Sequence, residues 1–135
     1  MPISPIYSKT IHIPESAIDE NGHVNNVTYV QWMQDIAVEH YASIGGIEAQ
    51  GADSTWVVRE HKIEYFLPAF LGEEIEIKTW VENIRRVRSL RKYEFTRTSD
   101  GKTLVKGETD WVFVDVKTGS PRAVPEIVIK VFNPS

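Results

Sequence analysis

Hydrophobic and polar residues alternate over several stretches of the chain, a pattern typical of β-strands with one buried face. The clearest stretch is 74–81, where one face would carry Ile75, Ile77, Thr79 and Val81 and the other Glu74, Glu76, Lys78 and Trp80. The pair Asp100–Gly101 favours a hairpin turn, because both central positions of such a turn prefer positive φ. The pattern predicts strands at 6–13, 56–66, 74–81, 88–98 and 103–117, and a short strand or helical turn at 127–132.

One segment has the length and composition of a long helix. Residues 27–44 contain neither Gly nor Pro, Asn25 or Asn26 can cap their start, and Gly45–Gly46 ends them. Apolar residues cover more than one narrow stripe of this helix, so we expect other structure to surround most of it. One long helix with five or six strands favours an α+β fold, in which an antiparallel sheet wraps around the central helix. We expect loops at 14–26 and 46–54.

Composition narrows the class of protein. The chain has 135 residues, 41% hydrophobic and 25% charged, without repeats or linkers, so we expect one domain over 1–135. The absence of Cys excludes disulfides and a thiolate nucleophile. A net charge of −4 gives no overall attraction to nucleic acid, and the longest apolar run, 65–71, is interrupted by Pro68. We therefore expect no nucleic-acid or membrane partner and, without a recognisable leader, a cytoplasmic location.

The polar segment 19–29 leads directly into the predicted helix. A helix N-terminus presents unpaired amide N–H groups, so a carbonyl oxygen placed near Asn25 or Asn26 would be polarised there. Asp19 could attack that carbonyl carbon or activate a water, and Asn21 or His23 could orient the water or bind substrate. These residues indicate acyl transfer to water. The ordinary alternative is a surface turn followed by an N-cap.

The string D-E-N-G-H-V-N-N-V-T-Y-V-Q-W, residues 19–32, resembles the signature of hotdog-fold thioesterases. It is most similar to the 4-hydroxybenzoyl-CoA thioesterase-like family of single-domain bacterial acyl-CoA thioesterases, and also resembles the plant acyl-carrier-protein thioesterases. Further matches are Ile63-Glu64-Tyr65, Pro68, Gly72-Glu73 and the closing segment 118–125. The resemblance implies a hotdog domain that hydrolyses acyl-CoA, or acyl-carrier-protein, without a cofactor or metal. It also implies a homodimer or homotetramer with active sites at the subunit interface.

The same resemblance assigns roles to individual residues. It makes Asp19 the catalytic carboxylate, as nucleophile or general base, with Asn21 and His23 as its polar partners. The Asn26 amide would polarise the thioester carbonyl. Substrate contacts are expected from Gly22, Asn25, Tyr29 and Asp35, the last at a position where the plant enzymes carry Glu; a solvated side chain is the alternative for Asp35. The sequence departs from the pattern at Ala17, where many relatives have Asp.

A basic cluster lies within residues 85–92. Arg86 and Arg88 could bind the phosphates of coenzyme A, since guanidinium groups suit phosphate oxygens. A solvated sheet edge explains the cluster equally well. His12, His40 and His61 lack the spacing of metal ligands, so each is expected to be exposed or hydrogen-bonded within the protein.

Two other functions use the same scaffold. A hotdog hydratase acting on an enoyl or 3-hydroxyacyl thioester would resemble D-x-N-P-x-H, whereas here His23 follows Asn21 by two residues with no Pro between them. A non-catalytic acyl-thioester-binding module is the second alternative, because a fold does not determine its function. The acyl chain preference, the carrier and the choice between dimer and tetramer stay open.

Overall fold

The computed structural model describes residues 2–134, which form one antiparallel sheet and three helices. In chain order the elements are β1 (Tyr7–His12), a 3₁₀ turn (Glu15–Ala17), α1 (Asn26–Ser43), α2 (Gly46–Gln50), β2 (Ser54–Tyr65), β3 (Glu74–Arg85), β4 (Arg88–Arg97), β5 (Thr103–Asp115) and α3 (Glu126–Phe132). The five strands are ordered β1-β3-β4-β5-β2. The predicted α+β fold, with one long helix and an antiparallel sheet of five strands, is confirmed.

Two predicted segments differ from the structure. Residues 46–50, predicted as loop, form the short helix α2. Of the two alternatives for residues 127–132, the helical one is confirmed, because they belong to α3. Strand β3 continues past residue 81 to Arg85 through a register shift between Val81 and Asn83. The alternating pattern ends at that bulge because the extra residue reverses which side chains face inward. No helix within residues 2–134 is long and apolar enough to cross a membrane.

Helix α1 packs one face against the sheet. Its buried residues, spaced three or four apart, are Tyr29, Met33, Ile36, Ala37 and His40. They meet inward-facing residues of the three central strands: Ile75, Ile77, Tyr93, Phe95 and Val105. The other face of α1 is open, with Val27 74% and Val38 57% exposed. The expectation that most of the helix is surrounded is therefore wrong for a single chain, because the sheet covers only one side.

A glycine in the middle of β5 allows the closest approach between helix and sheet. A Cβ atom at Gly107 would lie 2.9 Å from the Sδ of Met33. Glycine is poorly suited to a strand interior, and it commonly marks a place where another part of the protein comes close. Gly107 therefore gives Met33 the room to pack directly on the sheet.

The core also contains a polar cluster that the sequence did not predict. Arg91 of β4 is only 4% exposed, and its Nη1 lies 2.9 Å from His40 Nδ1 and 3.1 Å from Thr79 Oγ1. An arginine side chain can only donate, so His40 Nδ1 accepts and its ring proton sits on Nε2. Burial, followed by the charge of Arg91, lowers the pKa of His40 to about 4. His40 is therefore neutral at pH 7, hydrogen-bonded within the protein as expected.

This environment predicts a pH-dependent stability. His40 in the unfolded chain titrates near pH 6.5, so protons bind the unfolded state more readily between pH 6.5 and about 4. Its contribution to the free energy of unfolding is complete above pH 6.5 and is lost as the pH falls towards 4, by about 3 kcal/mol in total. His40→Gln keeps a hydrogen-bond acceptor for Arg91 but has no ring to protonate. The variant should therefore lose this part of the dependence of the free energy of unfolding on pH.

Urea denaturation at pH 7, 6, 5 and 4 measures the difference between the two proteins. His12→Gln is the matched control, because the side chain of His12 is 70% exposed and lies at the sheet edge beside Glu74. We expect the free energy of unfolding of the control to depend on pH as it does in the unaltered chain. The same dependence in His40→Gln would contradict its assignment to His40.

Candidate active site

Asp19 begins a tight turn in the connection between β1 and α1. Its carbonyl oxygen accepts the amide N–H of Gly22 at 3.0 Å, and its own amide donates to the carbonyl of His23 at 3.0 Å. Gly22 has φ of +83°, a conformation that glycine adopts without steric cost. An isolated bridge pairs Ile18 with Val24 and closes the turn. The turn therefore holds Asp19 and His23 side by side.

The two oxygens of the Asp19 carboxylate have different surroundings. Oδ1 accepts the amide N–H of Asn21 at 2.9 Å, which is an Asx turn. Oδ2 makes no hydrogen bond or ion pair with any residue in the range 2–134. The side chain is half-buried, while Asn21 and Gly22 are exposed. One oxygen therefore orients the carboxylate and the other is available to a substrate or water.

The N-terminus of α1 follows this turn after one residue. Asn25 is the N-cap, and its Oδ1 accepts the amide N–H of Val27 at 2.9 Å. The amide of Asn26, at the first helical position, has no acceptor among the described residues. The chain is anchored here by Val24 N–H to the carbonyl of Ala69 and by Asn25 N–H to that of Ala17, both 2.9 Å. The unpaired amide is thus held in a fixed position at the positive end of the helix dipole.

A pocket of about 240 Å³ adjoins this amide. His23, Asn26 and Tyr29 form one wall, and residues 65–69, in the connection from β2 to β3, form the other. The His23 ring meets Phe70 edge-on, with 6.1 Å between ring centroids. The pocket therefore offers a mostly apolar surface that meets the Asp19 turn at His23 and contains the free amide N–H of Asn26.

Tyr29 is the most deeply placed polar group of the pocket. Its side chain is 3% exposed, and its hydroxyl has no hydrogen-bond partner in the described part of the chain. Burial, with smaller contributions from Tyr65 and Glu73, raises the pKa of Tyr29 to about 12. The hydroxyl is therefore protonated and available as a donor.

The structure brings together most of the residues expected at the site. The turn and the start of α1 collect Asp19, Asn21, Gly22, His23, Asn25, Asn26 and Tyr29. Asp35 does not join them: it is exposed, and its Oδ1 accepts the amide of Gln31 at 2.8 Å.

Arg86 and Arg88 lie away from the pocket. Arg86 is in the β3–β4 turn with φ of +51°, and Arg88 is paired with Asp110. The pocket is next to the start of β3, and a strand of twelve residues separates it from that turn by roughly 36 Å. Within a single chain, these arginines are therefore not part of the site around the Asp19 turn.

Sequence reasoning missed the second wall of the pocket. The sequence predicts a strand that ends at Phe66, and β2 ends at Tyr65, but both aromatic side chains are about half exposed, as are Phe70 and Leu71. The sequence did contain a sign of this surface: residues 65–71 are the longest apolar run of the chain, and Pro68 excludes a central strand there. An apolar run that cannot be a buried strand is a candidate binding surface.

Comparison with solved structures identifies the fold. Slr0204 of Synechocystis, a 1,4-dihydroxy-2-naphthoyl-CoA thioesterase, superimposes with a TM-score of 0.83 at 15% identity, covering 95% of this chain and 96% of that one. A DHNA-CoA thioesterase of Staphylococcus aureus gives 0.77 at 22% identity, over 96% and 84%. At these identities the structural similarity establishes the hotdog fold alone.

Sequence comparison identifies the family. The acyl-CoA thioesterase YbgC of Helicobacter pylori is 23% identical over 122 residues, which are 85% of this chain and 91% of that protein. The model of the thioesterase-like superfamily matches residues 14–132, from the connection before the Asp19 turn to the end of α3. This match spans most of the chain, and the chain therefore belongs to the thioesterase-like superfamily.

Proposed function

We propose that this chain hydrolyses acyl-CoA thioesters to a free carboxylic acid and coenzyme A. The observation that carries the proposal is the free Asn26 amide at the start of α1, placed beside the Asp19 turn and an apolar pocket. Membership of the thioesterase-like superfamily and the relatives named as acyl-CoA thioesterases support the same reaction. Water is the only other reactant, so the proposed reaction needs no cofactor or metal.

The helix N-terminus would stabilise the charge that develops on the thioester oxygen. In the proposed complex the carbonyl oxygen accepts the Asn26 N–H, and negative charge grows on that oxygen as the carbonyl carbon is attacked. The helix dipole favours this charge. Asn25 acts indirectly, because its cap fixes the first turn that presents the amide.

Asp19 would supply either a base or a nucleophile. As a base, its Oδ2 takes a proton from a water whose oxygen attacks the carbonyl carbon; the C–S bond then breaks, and the thiolate leaves and is protonated. As a nucleophile, it forms an acyl anhydride with loss of thiolate, and water hydrolyses the anhydride. His23, with Asn21 and Gly22 in the same turn, would orient the water or the substrate. Asp35, Arg86 and Arg88 stay predictions for contacts with the rest of coenzyme A.

Replacing Asp19 tests the reaction. Thiol release from short, long and aromatic acyl-CoAs should fall roughly a hundredfold or more in Asp19→Asn, which removes the base and the nucleophile together. The matched control is Glu20→Gln, since Glu20 is the neighbouring carboxylate and is exposed. Wild-type turnover in Asp19→Asn would disprove the mechanism, and acyl-CoA binding without any turnover by the unaltered chain would favour the binding module.

Tyr29→Phe tests the pocket. The hydroxyl has no partner within the chain, so its loss should leave stability unchanged or higher while removing a donor to bound substrate. We expect a KM about three- to tenfold higher at an unaltered melting temperature. Tyr93→Phe is the control, because Tyr93 is buried but does not line this pocket. An unchanged KM in Tyr29→Phe would show that substrate does not reach the hydroxyl.

We also propose that the chain works as a homodimer or homotetramer. Strand β2 is an edge strand of twelve residues, with no neighbour on one side among residues 2–134. Exposed apolar side chains lie on it and on the open face of α1: Val27, Val38 and Val57. The outer face of the sheet instead carries alternating charges, such as Lys62 opposite Glu108 and Glu64 opposite Lys106. The edge strand and the helix face are therefore the surfaces suited to a second copy.

Light scattering tests this assembly. The unaltered chain should have two or four times the single-chain mass of 15.4 kDa. Val57→Lys places a charge on the edge strand and should reduce the mass to that of one chain, whereas Val116→Lys, at a loop valine 53% exposed, should not. A single-chain mass for the unaltered protein would refute the proposal.

A further inference from the structure

A second cavity lies beside the C-terminal half of α1 and carries a buried charge. It has a volume of about 210 Å³ and is walled by apolar and aromatic side chains of α1, β2, β5 and α3, among them Ala37, Trp56, Trp111 and Phe132. The β4 residues that line it, Ser89 and Arg91, are both polar. None of its residues lines the pocket beside the Asp19 turn.

Arg91 has no anionic partner. Both of its hydrogen bonds, to His40 and Thr79, use Nη1. No carboxylate in residues 2–134 pairs with it, and Nε and Nη2 make no hydrogen bond there. Phe132 lies over the guanidinium at 5.9 Å, a favourable but weak contact. Burial lowers the pKa of Arg91 to about 10, so the group is still charged at neutral pH.

A buried cation without a counter-ion is costly unless a partner neutralises it. Arg91 lies among Ser89, Tyr93 and Phe95 on the inward face of β4, so it cannot turn to solvent without leaving the core. The polar groups around it are neutral: His40 donates nothing to it, and Thr79 donates to the carbonyl of Lys92. The cavity therefore supplies an unused pair of guanidinium donors next to an apolar space.

We propose that this cavity binds the carboxylate of an organic acid with a compact apolar body, paired to Arg91. A guanidinium matches the two oxygens of a carboxylate. An apolar cavity of about 150 Å³ is enough to hold benzene, so this volume accepts a single ring or a short branched chain. A phosphate is less suitable, because Arg91 is the one charged residue that lines the cavity among residues 2–134, so a second negative charge would have no partner.

Two sources could supply such a carboxylate. One is the free acid that the proposed reaction releases, and the other is a second carboxylate at the far end of an acyl group. Ala37 is eleven residues beyond Asn26, about 16 Å along the helix, so a carboxylate bound here is separate from the thioester carbonyl in the same chain. Binding of the acid itself does not depend on the proposed function, whereas both of these sources rest on it.

Calorimetric titration with benzoate, and with benzamide as its neutral isostere, tests the site. Benzoate should bind at least tenfold more tightly than benzamide, and Arg91→Met should weaken benzoate binding tenfold or more. Lys92→Met is the matched control, because Lys92 is the next residue of β4 and faces the other side of the sheet. Equal binding of benzoate and benzamide, unchanged binding in Arg91→Met, or no binding of benzoate to the unaltered chain would overturn the proposal.

A second variant keeps the test valid if Arg91→Met does not fold. Ile47 lines the cavity at an exposed position of α2, so Ile47→Trp should obstruct the space while leaving Arg91 and the core in place. We expect it to weaken benzoate binding tenfold or more without lowering the melting temperature. Full benzoate binding in a folded Ile47→Trp would overturn the location of the site.

Hydrolysis of paired substrates distinguishes the two sources. If the carboxylate belongs to the acyl group, that group must span about 16 Å, so Arg91→Met should lower kcat/KM for tetradecanedioyl-CoA about tenfold or more and leave kcat/KM for myristoyl-CoA unchanged. If it is the released acid, both kcat/KM values should stay unchanged while benzoate binding is lost. Failure of the chain to hydrolyse any thioester would refute the proposed function, and the benzoate titration would still decide the site.

Discussion

The packing of α1 against the sheet fixes the position of the candidate site. A single long helix must bury one face on strands β3, β4 and β5, and Gly107, which has no side chain, leaves room for Met33 at this contact. Burial of the large apolar side chains at this contact stabilises the fold. Because this packing fixes the axis of α1, it also places the first turn of the helix at the pocket beside residues 65–69.

The Asp19 turn depends on the same arrangement. Backbone hydrogen bonds join Val24 to Ala69 and Asn25 to Ala17, so the turn is attached to the sheet connection on one side and to the helix on the other. The carboxylate and the unpaired Asn26 amide therefore belong to one rigid junction. A junction of this kind can orient reacting groups before substrate arrives, which is what electrostatic stabilisation of a transition state requires.

The sequence was sufficient to predict the strands and the long helix α1, and to single out the polar residues of the Asp19 turn. Strand β4 alternates in the core, and the Asn25 cap and Gly45 mark both ends of α1. Arg91 was overlooked because it was counted with a surface cluster, although alternation places it on the face of Tyr93 and Phe95. Helix α2 was not predicted, and the sequence left residues 127–132 open between a strand and a helical turn, because helices of five and seven residues depend on tertiary packing. In α3 that packing includes the stacking of Phe132 on Tyr41.

The most direct test of the central claim is a crystal structure of the protein with an acyl-CoA analogue in which a methylene group replaces the thioester sulfur. The carbonyl oxygen should lie about 3 Å from the amide nitrogen of Asn26, with the carbonyl carbon facing Oδ2 of Asp19 directly or through one water. A carbonyl group bound elsewhere, with the Asn26 amide facing solvent, would contradict the assignment of this junction as the active site.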